Sequence, residues 1–305
     1  MRKRAFIFPG QGSQFVGMGH DLFESYDLAK EMYLQANEIL EFDIREISFK
    51  DSLNRLNRTL YTQPAIFVNS AIIYKLLEKY LKPNCVAGHS LGEITALYAS
   101  KSLSFQDALI LVRKRAKLME ECNEKYKGGM LVILNPSKEN LDKLCDQNGI
   151  IVKANFNSSQ QIIISGEDKC IEKALKIARK HKIIAKKINV SGAFHSPLME
   201  EAQTKLSKII SSFNFKKPKI PVYQNLTGNS TMNLDEIKHN LTNQIQSPVL
   251  WEKTIQKMNQ NNVLSFYEIG PKDVLIKLVK KILNNSITYS VQKKEDIEIH
   301  ARKQN

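Results

Sequence analysis

The sequence has few cysteines and gives them no pattern. The four, Cys85, Cys122, Cys145 and Cys170, lie far apart, with neither C-x-x-C nor zinc-ligand spacing. A disulfide scaffold and a thiolate metal site are therefore not expected, and reduced thiols in a cytosol-like compartment are. No apolar run is long enough to cross a bilayer. The start, Met1-Arg2-Lys3-Arg4, is basic, but the apolar stretch after it stops at Pro9-Gly10, short of the core of a signal peptide. Internal repeats, heptads and low-complexity tracts are also missing. Acidic side chains are outnumbered, 31 against 45 Lys and Arg, for a formal net charge of +14. The lysines are scattered rather than clustered, so a solvated basic surface is expected in place of a nucleic-acid site. A strongly acidic protein partner is a second use for the same charge, through electrostatic steering.

What is present suits a globular enzyme-sized chain. Its 305 residues, 42% hydrophobic and 25% charged, can bury a large core as one domain or as a main domain with a smaller one. Ala5-Phe6-Ile7-Phe8 reads as a buried strand running into Pro9-Gly10-Gln11-Gly12-Ser13-Gln14. No Gly-Lys-Ser/Thr follows at P-loop spacing. The glycines suit a tight turn, or backbone N–H groups aimed into a cavity as an oxyanion hole requires. Amphipathic helical patterns occupy residues 21–53, and a helix-like run from Ile66 to Tyr80 follows Thr62-Gln63-Pro64-Ala65.

Cys85-Val86-Ala87 is a short strand-like run that breaks at Gly88, and a helical pattern restarts after Gly92. Between them Gly88, Ser90 and Gly92 form G-x-S-x-G, which in a strand-turn-helix setting holds a serine hydroxyl above a sheet edge as a nucleophile. Ser90 is the candidate nucleophile. His89 beside it is expected to be a structural hydrogen-bonder, because adjacent residues on such a turn point apart.

The helical run from Ser104 to Cys122 gathers Ala108, Leu111, Val112, Leu118 and Met119 on one side, with Arg115 in the middle of that stripe. A guanidinium on an apolar face must meet an anion. A structural Asp or Glu would serve, as would the carboxylate or phosphate of a ligand. From Gly128 to Val190 the order is β-α-β-β-α-β, the ferredoxin-like unit, read as an insertion. Strands are expected at 150–154, 162–165 and 185–190. Asn155-Phe156-Asn157-Ser158-Ser159 then joins the middle strands, as a turn or with polar side chains facing a cleft.

Ser191-Gly192-Ala193-Phe194-His195-Ser196-Pro197 follows, and His195 has the loop position a general base needs across from Ser90. His20, His181, His239 and His300 sit in polar surroundings and are read as surface residues. No Asp or Glu near His195 announces itself as a third member. The chain then returns to the first pattern, with strands at 220–224 and 264–269 and a helix at 273–283. The tail after Val291 reads as charged and loose. The expected architecture is α/β: a large α/β-hydrolase-like subdomain with a parallel sheet (1–127 and 191–305) plus an inserted ferredoxin-like subdomain (128–190).

Four separated stretches, Phe8 to Gln14, Gly88 to Glu93, the Arg115 helix and Gly192 to Ser196, together resemble the malonyl-CoA:acyl carrier protein transacylases of dissociated fatty-acid synthesis. The resemblance covers nearly the whole chain. It implies a ping-pong transfer in which Ser90 takes malonyl from coenzyme A as an ester and His195 acts as base. It also implies an oxyanion hole from the backbone N–H groups of Gln11 and Leu91, and Arg115 on the malonyl carboxylate. In that family a main-chain carbonyl near a glutamine orients the histidine, and Gln244, in Asn243-Gln244-Ile245-Gln246-Ser247-Pro248, matches that position. Phe194 matches the malonyl-selecting form of its loop. No cofactor or metal is implied. The partners implied are malonyl-CoA and an acidic, phosphopantetheinylated acyl carrier protein, with no nucleic acid and no membrane span. The compartment implied is the cytoplasm, or the stroma of an organelle that hosts dissociated fatty-acid synthesis. A serine esterase or thioesterase would share Ser90 and His195 but hand the acyl group to water. A non-catalytic acyl-CoA or carrier-binding module would keep only the fold.

Overall fold

The computed structural model describes residues 3–190 and 192–302. Met1 and Arg2 of the basic start, and Ser191 of the histidine loop, lie outside the described residues. The strands in chain order are β1 (Lys3–Phe8), β2 (Cys85–Gly88), β3 (Gly128–Leu134), β4 (Ile151–Ser158), β5 (Gln161–Glu167), β6 (Ile184–Lys187), β7 (Val222–Tyr223), β8 (Ser230–Thr231), β9 (Val263–Ile269) and β10 (Ile287–Val291). They form two sheets, one six-stranded in the order β10-β9-β1-β2-β7-β8 and one four-stranded in the order β4-β5-β3-β6.

The large sheet is parallel from β10 to β7, and only β8 runs antiparallel, at its edge. Its centre is β1, whose Ala5, Phe6, Ile7 and Phe8 are all fully buried. Side chains alternate across a strand, so Phe6 and Phe8 enter one core, and Ala5 and Ile7 enter another with Trp251 and Phe266. A strand covered on both faces reads as a continuous apolar run, which is why β1 was legible. In the β1–β2 pairing Phe8 stands opposite Gly88. Both strands therefore end at the same level, and the Gly10 loop and the Ser90 turn emerge side by side at the carboxyl edge, where open α/β sheets place their sites.

Two helices build one wall beside that edge. The Phe105–Lys125 helix is capped by Ser104, whose Oγ accepts from the Asp107 N–H, and it buries Leu111, Val112, Arg115 and Met119. It packs against the Thr59–Leu77 helix, which starts earlier than the sequence suggests and carries Pro64 within it. Proline forgoes one helical hydrogen bond, and burial along most of that helix holds the segment together all the same. Among the described residues no helix is long and apolar enough to cross a membrane.

The small sheet is antiparallel throughout its pairings and has the ferredoxin-like order. One face packs on its own helices, Lys138–Cys145 and Asp168–Lys180, through Leu131, Ile133, Ile164 and Ile171. The other face turns Met130, Ala154 and Ile163 toward the main body.

Three further expectations are corrected. Asn155 to Ser158 belongs to β4, and the turn is confined to Ser159 and Gln160; register shifts between Lys153 and Asn155 and between Phe156 and Ser158 break the alternation that marks a strand in sequence. The last strand of the small unit is Ile184–Lys187 and stops before Val190. The described part of the tail after Val291 is not loose: it follows β10, which extends the large sheet, and the Lys294–Arg302 helix docks by burying Ile297 and by donating the Lys294 N–H to Asp21 Oδ2 at 2.8 Å, while residues 303–305 lie outside the described residues. Its charges lie on the outer face, which is what made the segment look unstructured.

A Cβ built on Gly92 would lie 2.0 Å from the Phe8 carbonyl oxygen, backbone against backbone. Gly92→Ala is therefore expected to lower the unfolding free energy by at least about 3 kcal/mol, the upper end of ordinary overpacking costs. Urea denaturation checks it, and an unchanged midpoint would contradict the packing described.

Candidate active site

Gly88 closes β2 and Gly92 opens the Gly92–Ala99 helix, with Ser90 between them at φ 52°. A side chain on Gly88 would sit 1.9 Å from the carbonyl carbon and oxygen of Gly92. Only glycine permits that approach, and the turn it allows lifts the Ser90 hydroxyl off the sheet edge. His195, itself at φ 57°, reaches across from the loop before the Pro197–Met199 turn, and its backbone N–H is fixed on the Ile245 carbonyl at 3.0 Å. Ser90 Oγ and His195 Nε2 are 2.8 Å apart.

The tautomer follows from the partners. His195 Nδ1 lies 2.9 Å from the Gln244 carbonyl and 3.1 Å from the Ser247 carbonyl. Carbonyls only accept, so Nδ1 carries the proton and Nε2 is left to accept from Ser90. Burial, reinforced by the nearby Arg115 charge, pushes the His195 pKa down to about 3. The imidazole is therefore neutral at pH 7, the form a general base requires. No carboxylate hydrogen-bonds to His195 among the described residues.

Arg115 is 1% exposed. Its Nη1 donates to Gln63 Oε1 at 2.7 Å, and its Nη2 donates to Gln244 Oε1 at 2.9 Å and to Ser90 Oγ at 3.0 Å. Nε has no partner among the described residues. Burial lowers its pKa to about 10, which still leaves it charged at pH 7. No carboxylate is hydrogen-bonded to it among the described residues: Glu93 acts on it through charge alone, and the guanidinium reaches Ser90 Oγ instead.

These groups line one cleft of about 110 Å³ together with Gln11, Leu91 and Phe194. Neither the Gln11 nor the Leu91 backbone N–H has an acceptor among the described residues. The Gln11 loop is pinned by its side chain on Thr59 Oγ1 at 3.3 Å and by the Gly12 N–H on Gln14 Oε1 at 2.7 Å. Met119 from the main body and Met130, Ile163, Ile188 and Val190 from the small unit form the apolar wall. Asn155 also faces the cleft, and Asn157 Oδ1 pairs with His89 Nε2 at 2.9 Å. His89 packs its ring 5.6 Å from that of Trp251, so it is a hydrogen-bonded structural residue with one edge on the cleft.

Every candidate site residue from the sequence, Ser90, His195, Arg115, Gln11, Leu91, Phe194 and Gln244, thus meets in one place. Three neighbours were missed: Gln63, Glu93 and Asn225. Glu93 stood inside the quoted hexapeptide, but nothing local says that its carboxylate is buried. Gln63 preceded an apolar helix as the odd polar residue, and Asn225 had no signal at all.

The acyl transferase domain family matches residues 5–301. The malonyl CoA-acyl carrier protein transacylase of Bacillus subtilis is 39% identical over 307 residues, spanning 98% of this chain and 96% of that protein. This chain belongs to that transacylase family. Members of the family in solved structures share its fold. The Clostridium perfringens transacylase superposes with a TM-score of 0.92 at 36% identity, covering 99% of this chain and 97% of that one. The PlMCAT malonyl-transacylase, solved in complex with the type II PKS acyl-carrier protein AntF, gives 0.94 at 32% identity, over 99% and 100% of the two chains.

The histidine's burial has a consequence for stability. Its folded pKa lies below the ordinary value of about 6.5, so as pH falls below 6.5 the unfolded chain takes up a proton that the folded chain refuses. Stability contributed above that pH is lost on the way down toward pH 3. Urea unfolding free energies measured from pH 7 to pH 4 should therefore fall less steeply in His195→Asn than in the wild type. Equal slopes would place the His195 pKa at its unfolded value.

Proposed function

We propose that this chain moves a malonyl group from malonyl-CoA to the phosphopantetheine thiol of an acyl carrier protein, through a malonyl ester on Ser90, to feed fatty-acid chain elongation. The observation that carries this reading is a buried, incompletely paired guanidinium 3.0 Å from the nucleophilic oxygen. An unpaired buried cation is costly, and a substrate bearing a free carboxylate next to its reacting carbonyl relieves that cost where an acetyl group does not.

In the first half-reaction His195 Nε2 takes the Ser90 proton as Oγ adds to the thioester carbonyl. The oxyanion is received by the backbone N–H groups of Gln11 and Leu91, whose free donors support the role. Collapse of the tetrahedral adduct breaks the carbon–sulfur bond, and the imidazolium returns its proton to the departing coenzyme A thiolate. In the second half-reaction the carrier thiol gives its proton to His195 and attacks the ester, and Ser90 leaves with that proton. Gln244 and Ser247 hold the imidazole by their carbonyls, Arg115 grips the malonyl carboxylate, and Phe194 limits the space at the α-carbon. The narrow cleft slows capture of the ester by water.

The proposed division assigns 1–127 and 191–305 to the large subdomain and 128–190 to the insertion that covers the cleft. The proposed compartment is the cytoplasm, or the stroma of an organelle that hosts this pathway. The net charge of +14 supports steering of an acidic carrier.

Incubation with malonyl-CoA is expected to add one malonyl group to Ser90 by intact-mass analysis, and Ser90→Ala to abolish it. An unmodified wild-type chain would sink the reading. Arg115→Ala is expected to cut malonyl transfer by at least about thirtyfold, the counterpart of the ~2 kcal/mol at the low end for breaking a buried charge pair, while sparing or raising acetyl transfer. Equal losses with both donors would instead make Arg115 structural.

A further inference from the structure

One carboxylate beside the nucleophile has no part in the scheme above. Asp51, Glu93 and Glu268 are the buried acids among the described residues. Asp51 accepts from the Arg55 and Leu56 N–H groups, and Glu268 accepts from the Ile276 N–H. Both finish ordinary turns and helix starts. Glu93, fully buried in the first turn of the elbow helix, instead takes donors that lead to the reacting groups. Its Oε2 accepts from the Asn225 backbone N–H at 2.8 Å and from Gln244 Nε2 at 3.0 Å, and its Oε1 from Gln224 Nε2 at 3.3 Å.

Each of the first two contacts extends as an arm. Asn225 Oδ1 accepts the Ser90 N–H at 2.6 Å, and its Nδ2 donates to the Gly88 carbonyl at 2.6 Å. One side chain thus straps both sides of a turn whose centre sits at positive φ, and it occupies the Ser90 N–H so that Leu91 presents the open donor. On the other arm, Gln244 Nε2 is shared between Glu93 and the Ser90 carbonyl at 3.0 Å. That leaves only Oε1 to face Arg115. All three contacts of Glu93 are N–H donors, so its oxygens accept and fix which end of the Gln244 amide points each way. With the amide reversed, Gln244 would aim an NH₂ at the guanidinium.

We infer that Glu93 is a positioning residue of the transfer reaction, holding Ser90 through Asn225 and aiming Arg115 through Gln244. In a serine–histidine–acid triad the carboxylate orients the base. Here backbone carbonyls orient the base, and the carboxylate orients the nucleophile and the substrate-binding cation. The inference rests on the roles proposed for Ser90 and Arg115.

The test compares Glu93→Gln and Asn225→Ala with the wild-type full chain. Folding is read by thermal melting. Ser90 reactivity is read by labelling with a small fluorophosphonate, in which Oγ attacks phosphorus and fluoride leaves. Single-turnover acylation of Ser90 by malonyl-CoA and by acetyl-CoA is read by intact mass. Folded Glu93→Gln should label about tenfold more slowly and malonylate about a hundredfold more slowly, the scale of loss that a misplacement on the order of 1 Å brings, with acetylation falling less. Asn225→Ala should slow the phosphonate and both acyl donors by one common factor. Wild-type labelling and acylation rates in folded Glu93→Gln would overturn the proposal, and an unchanged malonyl-to-acetyl ratio would overturn its Arg115 arm. If Glu93→Gln does not fold, wild-type labelling by folded Asn225→Ala overturns the nucleophile arm. The phosphonate needs no malonyl group. A wild-type chain that labels but is not malonylated therefore fails the transfer reading alone, and the nucleophile arm is still decided.

Discussion

The Ser90 hydroxyl has a place only because three stretches of backbone lie closer together than side chains allow. Phe8 ends β1 opposite Gly88 at the end of β2, and Gly92 rests against the Phe8 carbonyl. That contact sets the Gln11 loop beside the turn, forces Ser90 into positive φ, and seats the elbow helix against β1 and β2. The proposed oxyanion donors, the proposed nucleophile and the first turn carrying Glu93 are all placed by this one closeness. Everything else in the site approaches from elements that pack on it.

Around that point the electrostatics are layered. A neutral buried histidine and a buried guanidinium share one serine oxygen, and the charge of one holds down the basicity of the other. Arg115 is tolerated because Gln63 and Gln244 accept its hydrogen bonds and the Glu93 carboxyl group, one amide away, favours its charge. Burial raises the Glu93 pKa, while Arg115 and its three donors oppose the rise. Such a network is stable only when nearly all members are paired, and the unpaired Arg115 Nε is the exception. Under the proposed function, the malonyl carboxylate is the group brought to this guanidinium.

Much of this was legible residue by residue. The β1 run, the G-x-S-x-G turn, the arginine on an apolar stripe and the β-α-β-β-α-β order each follow from local periodicity and spacing, which the chain carries whatever surrounds it. The misreadings have local causes too. Bulges disguised the end of β4 as a loop. A charged outer face disguised the last helix as a loose tail, although Ile297 anchors it. Pro64 delayed the expected start of a helix that burial sustains. The antiparallel edge strand β8 has two residues, too few for any pattern.

The sequence by itself determined which chemistry was available: a serine on a glycine-flanked turn, a later histidine on a loop, and a cation on a face that must be buried. Tertiary structure alone decided what those groups touch. Ser90 and His195 are 105 residues apart, Arg115 and Gln244 129, and Ser90 and Asn225 135. Contacts at such separations depend on strand register and helix packing, which no local window contains. For the same reason the acid that the sequence could not find beside the histidine lay under the serine instead.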